Sequence, residues 1–370
     1  MERTDGEKGT QISFYSFSFS PKFIKFPKPL PNRATGLAVS SSSSSSPRAL
    51  LWVKIYTSLI AEIITGTVCA NKYELQMQIS CDFYLYTIPT LFSCVDVNST
   101  SRQDVEREIE ETRCTHVLNA SGVTGRPNVD WCESNREETI RTNVIGTLNI
   151  ADICAQKKVH HLLYATGCIF EYDDTHVVGG TGFTEEEAAN FHGSFYSHTK
   201  AMCEDMLKSF STTCTLRVRM PISDDLSPRN FLTKIIKYDR VVNIPNSMTV
   251  LTELLPVSLA MSEKGCVGIY NFCNPGAISH NECLALYKKH VDPSYEWKNF
   301  TVEEQAKILK AGRSNNTLDH TKLCAAVPEI EIDEIHVAME KAIIRMKANL
   351  EAEGIWPDNL PKRAADWSSI

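Results

Sequence analysis

From about residue 95 onward, short apolar runs alternate with longer stretches in which apolar residues recur at helical spacing. Buried strands separated by amphipathic helices are typical of βαβ units, which build a parallel sheet. The pattern predicts helices over 104–112, 137–157 and 195–210, and strands over 115–118, 161–165 and 213–218. The predicted fold class is therefore α/β, with a Rossmann-like, doubly wound parallel sheet.

Beyond Pro221 this rhythm loosens. Prolines at positions 228, 245 and 275 indicate loops, and helical spacing recurs over 253–264, 280–290 and 332–350. These features predict a smaller, mainly helical C-terminal lobe. The chain then divides into an N-terminal segment over 1–48, a Rossmann-like domain over 49–235, a lobe over 236–348 and a tail over 349–370.

The N-terminal segment is Ser-rich, ends in the run Ser40–Ser46 and shows no periodicity, so we expect it to be disordered. A transit peptide is an alternative, because acidic residues are scarce after Glu7. The stretch 49–67 is apolar, but Lys54 and Glu62 interrupt it. A buried strand and helix therefore explain it better than a membrane span.

Charge and cysteine content narrow the class of function. The net charge is −7 and no basic face is visible, so nucleic-acid binding is not expected. The thirteen cysteines form no Cys-x-x-Cys pair and have no histidine at metal-ligand spacing. We expect reduced thiols, a cytoplasmic protein, no membrane association and no metal site.

Tyr196 and Lys200 lie four residues apart and hence on one face of a predicted helix. An ammonium beside a phenol favours the phenolate, which would lower the phenol pKa towards working pH and suit a proton donor to a carbonyl oxygen. The spacing alone is common, and an exposed tyrosine beside a solvated lysine is the alternative.

The position of other polar groups along the chain favours the catalytic interpretation. Thr166 and Cys168 follow one predicted strand, and the small-residue turn Asn119–Gly122 follows the preceding one, so the carboxyl ends of successive strands would bring these groups together.

Several longer runs resemble the eukaryotic nucleotide-rhamnose epimerase-reductases, which are extended short-chain dehydrogenases. The runs that carry the resemblance are NASGVTGRPNVDWCE over 119–133, ATGCIFE over 165–171, GSFYSHTK over 193–200, LRVRMP over 216–221, PRNF over 228–231, IPNSM over 244–248, NFCNPG over 271–276 and RSNN over 313–316. The resemblance covers about 95–346. It implies NADPH-dependent conversion of UDP-4-keto-6-deoxyglucose to UDP-L-rhamnose, with NADH and a dTDP sugar as alternatives.

The resemblance also implies the roles of the parts. The domain over 49–235 would bind NADP and the lobe over 236–348 the substrate. A separate 4,6-dehydratase would supply the keto sugar, and homodimerisation is common among such folds.

Residue roles follow from the matched positions. Thr166 would hydrogen-bond the C4 oxygen, Tyr196 would protonate it and Lys200 would hold the nicotinamide ribose. Cys168 and Lys234 would be the acid and base that invert C3 and C5. The cofactor would also contact Asp96, Asn119, Ala120 and Gly122, and the sugar nucleotide would contact Arg126, Arg217, Arg219, Asn230 and Arg313. Alternatives remain open: a buried structural thiol for Cys168, a solvated lysine for Lys234, surface ion pairs for the arginines and a turn residue for Asp96.

The sequence departs from this family at its start. No GxGxxG or GxxGxxG turn precedes Asn119, and 52–92 contains only the single glycine of Thr65-Gly-Thr67. The first βαβ unit is thus degenerate and 49–94 atypical. A wrong first exon, a diverged cofactor site and an unorthodox phosphate loop are the competing explanations. A non-catalytic regulatory protein on the same fold, like the regulatory beta subunit of methionine adenosyltransferase, is the second hypothesis. Loss of this unit also predicts an uncovered sheet edge and poor solubility.

Overall fold

The computed structural model describes residues 71–74, 77–81, 84–88, 91–94, 97–124 and 128–360. The predictions over 1–48 and 49–67 lie outside these residues, as do Asp96, Arg126 and the last ten residues of the tail.

The described residues contain a four-stranded sheet in the order β10-β7-β6-β5. Its strands are β5 (His116–Asn119), β6 (His160–Tyr164), β7 (Thr213–Val218) and β10 (Gly268–Phe272). All three pairings are parallel, which confirms the predicted Rossmann-like fold class. Every residue of β7 is buried, as expected for an inner strand covered on both faces.

Helices pack on both faces of this sheet because successive side chains of a strand point in opposite directions. On β6, Leu163 packs with Val144, Cys203 and Leu207. Its neighbour Leu162 packs on the other face with leucines of the 251–263 helix. The sheet is therefore doubly wound.

The helices predicted from periodicity are present. Two of them are single helices, α1 (Arg102–Thr112) and α5 (Phe195–Leu207). Between these lies a helical run made of α2 (Asp130–Ser134), α3 (Arg136–Ile140), a π segment (Arg141–Gly146) and α4 (Thr147–Lys157). The single helix predicted over 137–157 is thus confirmed in extent, but a π turn interrupts its middle. Ser101 caps α1 by accepting a hydrogen bond of 3.3 Å from the Asp104 amide, which fixes where this helix begins.

The C-terminal part contains the remaining elements. They are α6 (Phe231–Ile235), β8 (Arg240–Val241), β9 (Pro245–Asn246), α7 (Leu251–Glu263), β11 (Ile278–Ser279), α8 (His280–His290), β12 (Lys298–Asn299), α9 (Val302–Ala306), α10 (Thr321–Ala326) and α11 (Ile335–Ala352). The predicted helices over 253–264, 280–290 and 332–350 correspond to α7, α8 and α11. A second core joins α8 and α11 through Leu284, Tyr287, Met339 and Ile343.

The structure corrects the sequence analysis at β10. This strand lies within the lobe predicted over 236–348, yet it pairs with β7 and extends the main sheet. Its five residues, which begin at a glycine with positive φ, carry too short a pattern to be recognised as a sheet strand.

The segment 71–94 contains four short strands: β1 (Asn71–Glu74), β2 (Met77–Cys81), β3 (Tyr84–Ile88) and β4 (Leu91–Cys94). β1 pairs with β4 and β2 with β3, both antiparallel and outside the main sheet. The predicted degeneracy of the first βαβ unit is consistent with this arrangement. Within the described residues β5 is consequently an edge of the sheet, and His116 on it is exposed.

Three general properties concern the described part of the chain. The ten cysteines from Cys114 to Cys324 are free thiols. None of its helices combines the length and the apolar character needed to cross a bilayer. Over the same residues, no three His, Cys, Asp or Glu side chains are grouped so that they would hold a metal ion.

Candidate active site

Helix α5 presents the predicted tyrosine and lysine at its first turns. Ser194 adopts extended backbone angles and its Oγ accepts a hydrogen bond of 3.0 Å from the Ser197 amide, so the helix begins at Phe195. The Phe195 amide donates to Glu133 Oε1 at 2.7 Å and ties this end to α2. Tyr196 and Lys200 are both buried, at 8% exposure each.

The charge state of Tyr196 differs from the sequence prediction. Burial raises the pKa of the phenol, the nearby Cys168 sulfur raises it further, and a hydrogen bond with the Thr166 side chain opposes them. The Lys200 ammonium is not among the groups that act on it. The expected lowering is therefore wrong for the protein alone, because burial dominates. A phenol of this kind keeps its proton and serves as a donor.

Lys200 lies against the turn that follows β5. A Cβ added at Gly122 would lie 3.5 Å from Lys200 Nζ and 3.4 Å from Asn143 Oδ1, so glycine leaves a recess beside the ammonium. Burial lowers the pKa of Lys200, with Cys203 and Cys132 opposing. The predicted proximity of the small-residue turn to the α5 lysine is thus present in the structure.

Asn143 is a site residue that the sequence analysis missed. It lies in the π segment, is fully buried, and forms two hydrogen bonds with Val123: Oδ1 accepts from the amide at 2.7 Å and Nδ2 donates to the carbonyl at 2.8 Å. It therefore fixes the turn next to Gly122. A polar residue on the apolar face of the predicted 137–157 helix was the signal that would have revealed it.

Asn119 and Ala120 shape the same turn. Asn119 Oδ1 accepts from the Ser121 amide at 3.0 Å and from its hydroxyl at 2.7 Å. Its Nδ2 lies 3.3 Å from His161 Nε2, and Ala120 packs against the core around Leu162. Their side chains are thus engaged within the protein, and what they present outward is the main chain of the turn.

Thr166 and Cys168 follow β6 at its carboxyl end. The Cys168 amide donates to Thr166 Oγ1 at 3.1 Å. The Thr166 hydroxyl also lies near the Tyr196 phenol and acts to lower its pKa. Between them, a Cβ at Gly167 would come within 2.7 Å of Leu318 and 2.9 Å of Arg219, so only glycine fits. Two hydroxyls and one thiol therefore meet at the end of the sheet where parallel α/β folds bind ligands.

Lys234 brings a cation to the same place from α6. Burial lowers its pKa, the positive charges of Arg229 and Arg313 lower it further, and the Cys168 sulfur opposes them. The two residues expected to act in epimerisation, Cys168 and Lys234, therefore interact electrostatically. Arg229 was not predicted from the sequence, and its Nη1 also donates to Thr124 at 2.7 Å.

Three predicted substrate residues are buried and hydrogen-bonded to other groups of the protein. Asn230 is 2% exposed and caps α6, accepting from the Leu232 amide at 3.1 Å and donating to the Ser223 and Asp225 carbonyls. Arg217 is 1% exposed and forms an ion pair of 2.7 Å with Glu204. Arg219 is fully buried and donates to Cys168 rather than to solvent. The structure thus gives these three side chains partners within the protein, and their contact with the sugar nucleotide stays a prediction.

Arg313 remains available near the site. Its Nη1 donates to Asp130 Oδ1 at 2.9 Å and to the Ala311 carbonyl at 2.8 Å, and its side chain is 26% exposed. Asp130 also accepts from the Lys310 and Ala311 amides, which fastens this loop to α2. The guanidinium thus stands at the surface beside Lys234.

A cavity of about 360 Å³ lies away from these residues. Its lining includes Leu207, Phe210, Thr213 and Gly268, and it opens at the amino ends of β7 and β10. Ligand sites in parallel sheets lie at the opposite, carboxyl ends, so this crevice is not the active site.

Residues 67–237 match the NAD dependent epimerase/dehydratase family. Over 231 residues the chain is 61% identical to a bifunctional dTDP-4-dehydrorhamnose 3,5-epimerase/dTDP-4-dehydrorhamnose reductase of Arabidopsis thaliana, and the match covers 62% of this chain and 77% of that protein. The chain belongs to this family. The resemblance drawn from the sequence motifs is thereby confirmed.

Other family members agree with this assignment. A trifunctional UDP-glucose 4,6-dehydratase/UDP-4-keto-6-deoxy-D-glucose 3,5-epimerase/UDP-4-keto-L-rhamnose-reductase of Arabidopsis thaliana is 58% identical over 62% of this chain, which spans only 35% of that longer protein. The crystal structure of the L780 UDP-rhamnose synthase from Acanthamoeba polyphaga mimivirus matches with a TM-score of 0.65 at 32% identity, over 80% of this chain and 96% of that chain. A dTDP-4-dehydrorhamnose reductase from Bacillus anthracis in complex with NADP has a TM-score of 0.56 at 16% identity, over 67% of this chain and 86% of that chain, and supports the fold alone.

Proposed function

We propose that this protein is an NADPH-dependent 3,5-epimerase and 4-keto reductase of a nucleotide-linked 4-keto-6-deoxyhexose, and that it makes UDP-L-rhamnose. The observation that carries the proposal is the convergence of Thr166, Tyr196 and Cys168 at the carboxyl end of the sheet, with Lys234 in electrostatic reach of the thiol. The relatives named for epimerase and reductase activities support it.

The reductive half requires a proton donor at the C4 oxygen. The neighbouring hydroxyls of Thr166 and Tyr196 would hold this oxygen, and the phenol retains its proton because burial raises its pKa. When bound, a reduced nicotinamide supplies the hydride that C4 receives. The Tyr196 proton would then move to the oxygen, so that the carbonyl becomes a hydroxyl.

The epimerising half requires two groups that exchange protons with carbons beside the carbonyl. In our proposal Cys168 takes the C–H proton, the electron pair moves to the C4 oxygen, and Thr166 and Tyr196 stabilise that charge by hydrogen bonds. The Lys234 ammonium returns a proton to the same carbon from the opposite face. The thiol and the neutral amine are reset by solvent exchange before the second centre is inverted.

The residues near Lys200 fit the nicotinamide end of the cofactor. The recess at Gly122 beside the ammonium leaves room for a ribose, and Asn143 keeps the surrounding turn in place. In the described residues of 71–94, antiparallel strand pairs take the place of a strand, a glycine-rich turn and a helix, so the pyrophosphate would be held differently from the family's usual pattern. Asp96 and Arg126 remain proposals outside the described residues.

We further propose that Arg313 and Arg229 hold the diphosphate of the sugar nucleotide. Both guanidinium groups act electrostatically on Lys234, and a guanidinium fork matches phosphate oxygens. A separate 4,6-dehydratase would supply the substrate. The free thiols of the described residues support a reducing, cytoplasmic location.

A second function rests on one observation, the antiparallel arrangement of 71–94 where the family expects a cofactor-binding unit. A chain without firm cofactor binding would act as a cofactor-free epimerase or as a regulatory protein. Because proton exchange needs no hydride, epimerisation can persist when reduction is lost.

The deciding experiment separates these functions in one set of samples. The purified full chain is first titrated with NADPH, following the quenching of protein fluorescence. It is then incubated with UDP-4-keto-6-deoxyglucose in D₂O with and without NADPH, and NADPH oxidation and deuterium at C3 and C5 are followed by absorbance and mass spectrometry.

We expect saturable NADPH binding, oxidation and deuterium incorporation in the wild type. Tyr196→Phe should bind NADPH but slow its oxidation by about 100-fold or more, while Cys168→Ala should abolish deuterium incorporation. Exchange without binding would leave the cofactor-free epimerase. A folded chain with neither exchange nor oxidation would refute the enzyme and favour the regulatory protein.

A further inference from the structure

Two arginines lie two residues apart, and their charges are balanced in different ways. Arg217 is the last residue but one of β7, and the Glu204 carboxylate accepts from its guanidinium at 2.7 and 3.0 Å. Arg219 follows immediately and is 0% exposed. Among the described residues no carboxylate reaches Arg219 at ion-pair distance.

The hydrogen bonds of the Arg219 guanidinium go to oxygen atoms of uncharged groups, with one exception. Its Nη2 donates to the Asn246 side chain and to the Ser314 carbonyl, and its Nη1 donates weakly to the Ser314 hydroxyl at 3.4 Å. Its Nε is buried without a partner. The exception is Cys168, whose sulfur accepts from Nη1 at 2.9 Å.

A fully buried cation is costly unless an anion compensates it. Guanidinium has only donors and stays protonated, so the compensating charge must come from its surroundings. A neutral thiol accepts hydrogen bonds weakly, whereas a thiolate is a strong acceptor and carries the missing charge.

We propose that Arg219 is a positioning residue that holds Cys168 as a thiolate and so prepares it to act as the base of the epimerisation. The role of Cys168 as a base rests on the proposed function, whereas the ion pair between Arg219 and Cys168 does not. Arg219 donates to the Cys168 sulfur and lies against Gly167. It therefore acts through Cys168 rather than on substrate.

The remaining charged and titratable neighbours are consistent with this assignment. Tyr196 on α5 and Lys234 on α6 lie in electrostatic reach of the Cys168 sulfur, the first as a neutral phenol and the second as a cation. Tyr172, Cys273 and His280 face Arg219 from other elements. Burial raises the pKa of Tyr172 and of Cys273 and lowers that of His280, so all three favour their neutral forms and leave the charge of Arg219 to Cys168.

The test measures thiolate reactivity in the full chain without cofactor or sugar. Iodoacetamide alkylation of each cysteine is followed by peptide mass spectrometry between pH 5.5 and 9.5. Cys114, a partly exposed thiol in the same molecule, serves as the internal reference for folding and reagent access. The variants are Arg219→Gln, which removes the charge, and Arg219→Lys, which keeps it.

In the wild type we expect the pH profile of Cys168 alkylation to lie at least about one pH unit below that of Cys114, as for a thiolate paired with a cation. Arg219→Gln should move the Cys168 profile up by about one unit or more, a loss of about ten-fold in rate at neutral pH, with the Cys114 profile unchanged. Arg219→Lys should restore most of the rate.

A wild-type Cys168 profile that coincides with that of Cys114 would overturn the proposal, even if Arg219→Gln did not fold. An Arg219→Gln profile identical to that of the wild type would overturn it as well. If the reactivity of Cys168 depends on the charge at position 219 but the chain incorporates no deuterium into the keto sugar, the ion pair is supported and the epimerase function is refuted. The two failures are therefore distinguishable.

Discussion

At the scale of single residues, burial decides what each ionisable group can do. Tyr196 and Lys200 are both removed from water, which favours the neutral form of each. The phenol therefore holds its proton for transfer. Arg217 and Glu204 are buried as an ion pair, in which each side chain compensates the charge of the other.

Glu204→Gln should lower the free energy of unfolding by about 3–5 kcal/mol, because it leaves the buried Arg217 charge uncompensated. Urea denaturation at neutral pH measures this loss. Glu106→Gln is the matched control: its carboxylate pairs with Arg102 at 2.9 Å, but on the surface, and should cost less than about 0.5 kcal/mol. Equal losses in both variants would contradict the expected difference.

Asn143→Ala should slow NADPH oxidation by about ten-fold or more, because the turn beside Lys200 loses both hydrogen bonds to Val123. Asn149→Ala, on the same helical run, removes a hydrogen bond of 2.8 Å to the Ser99 carbonyl away from the site and should leave the rate unchanged. The rates are compared at saturating keto sugar, with thermal unfolding as a check on folding. Equal losses of activity in both variants would contradict a specific role of Asn143 in holding the turn beside Lys200.

At the scale of elements, the helical run 136–157 shows how a local irregularity serves the site. The π segment Arg141–Gly146 adds one residue to a turn and directs Asn143 inward, as π turns at functional sites commonly do. The same segment brings Gly146 against Ser99, where an added Cβ would lie 2.4 Å from the Ser99 Oγ and 3.1 Å from its Cβ. Close packing, rather than backbone conformation, thus requires this glycine.

Gly146→Ala should destabilise the protein by about 1–3 kcal/mol through overpacking, although alanine is the better helix former. Ser99→Gly removes both clashing atoms, so the double variant should recover most of the loss. Denaturant unfolding of the two single variants and the double variant gives the coupling free energy. Additive effects would show that the Ser99 contact is not the cause.

At the scale of the whole molecule, two buried histidines link folding to pH. Burial lowers the pKa of His161 to about 3 and that of His280 to about 4. Both rings are neutral in the native protein, whereas the unfolded chain protonates them below about pH 6.5. Their contribution to stability is therefore complete above pH 6.5 and is lost as the pH falls towards 4 and 3.

At pH 5 each ring should cost about 2 kcal/mol of unfolding free energy relative to neutral pH. His161→Gln should reduce the slope of stability against pH between 6.5 and 5 by about one proton, as measured by urea unfolding at several pH values. Thr213→Val keeps the histidine and removes only its hydrogen bond of 3.2 Å, so it should lower stability without changing the slope. An unchanged slope in His161→Gln would contradict the assignment.

The sequence by itself determined the α/β class, the helices around 104–112, 137–157 and 195–210, and three of the four sheet strands. These features follow from local periodicity, which is visible in the sequence without knowledge of tertiary contacts. It also determined the family and the placing of Thr166, Cys168 and Tyr196 near one another, because the carboxyl ends of parallel strands converge.

Only the tertiary structure decided the partners of the buried polar groups. Cys168 and Arg219 are 51 residues apart, and Asn143 meets Val123 across 20 residues. No local pattern distinguishes an arginine that grips a phosphate from one that pairs with Glu204 inside the core, and β10 is recognised only by its contact with β7. Periodicity reports which side of an element is buried, whereas charge state and partner depend on the atoms that long-range packing brings within a few ångströms.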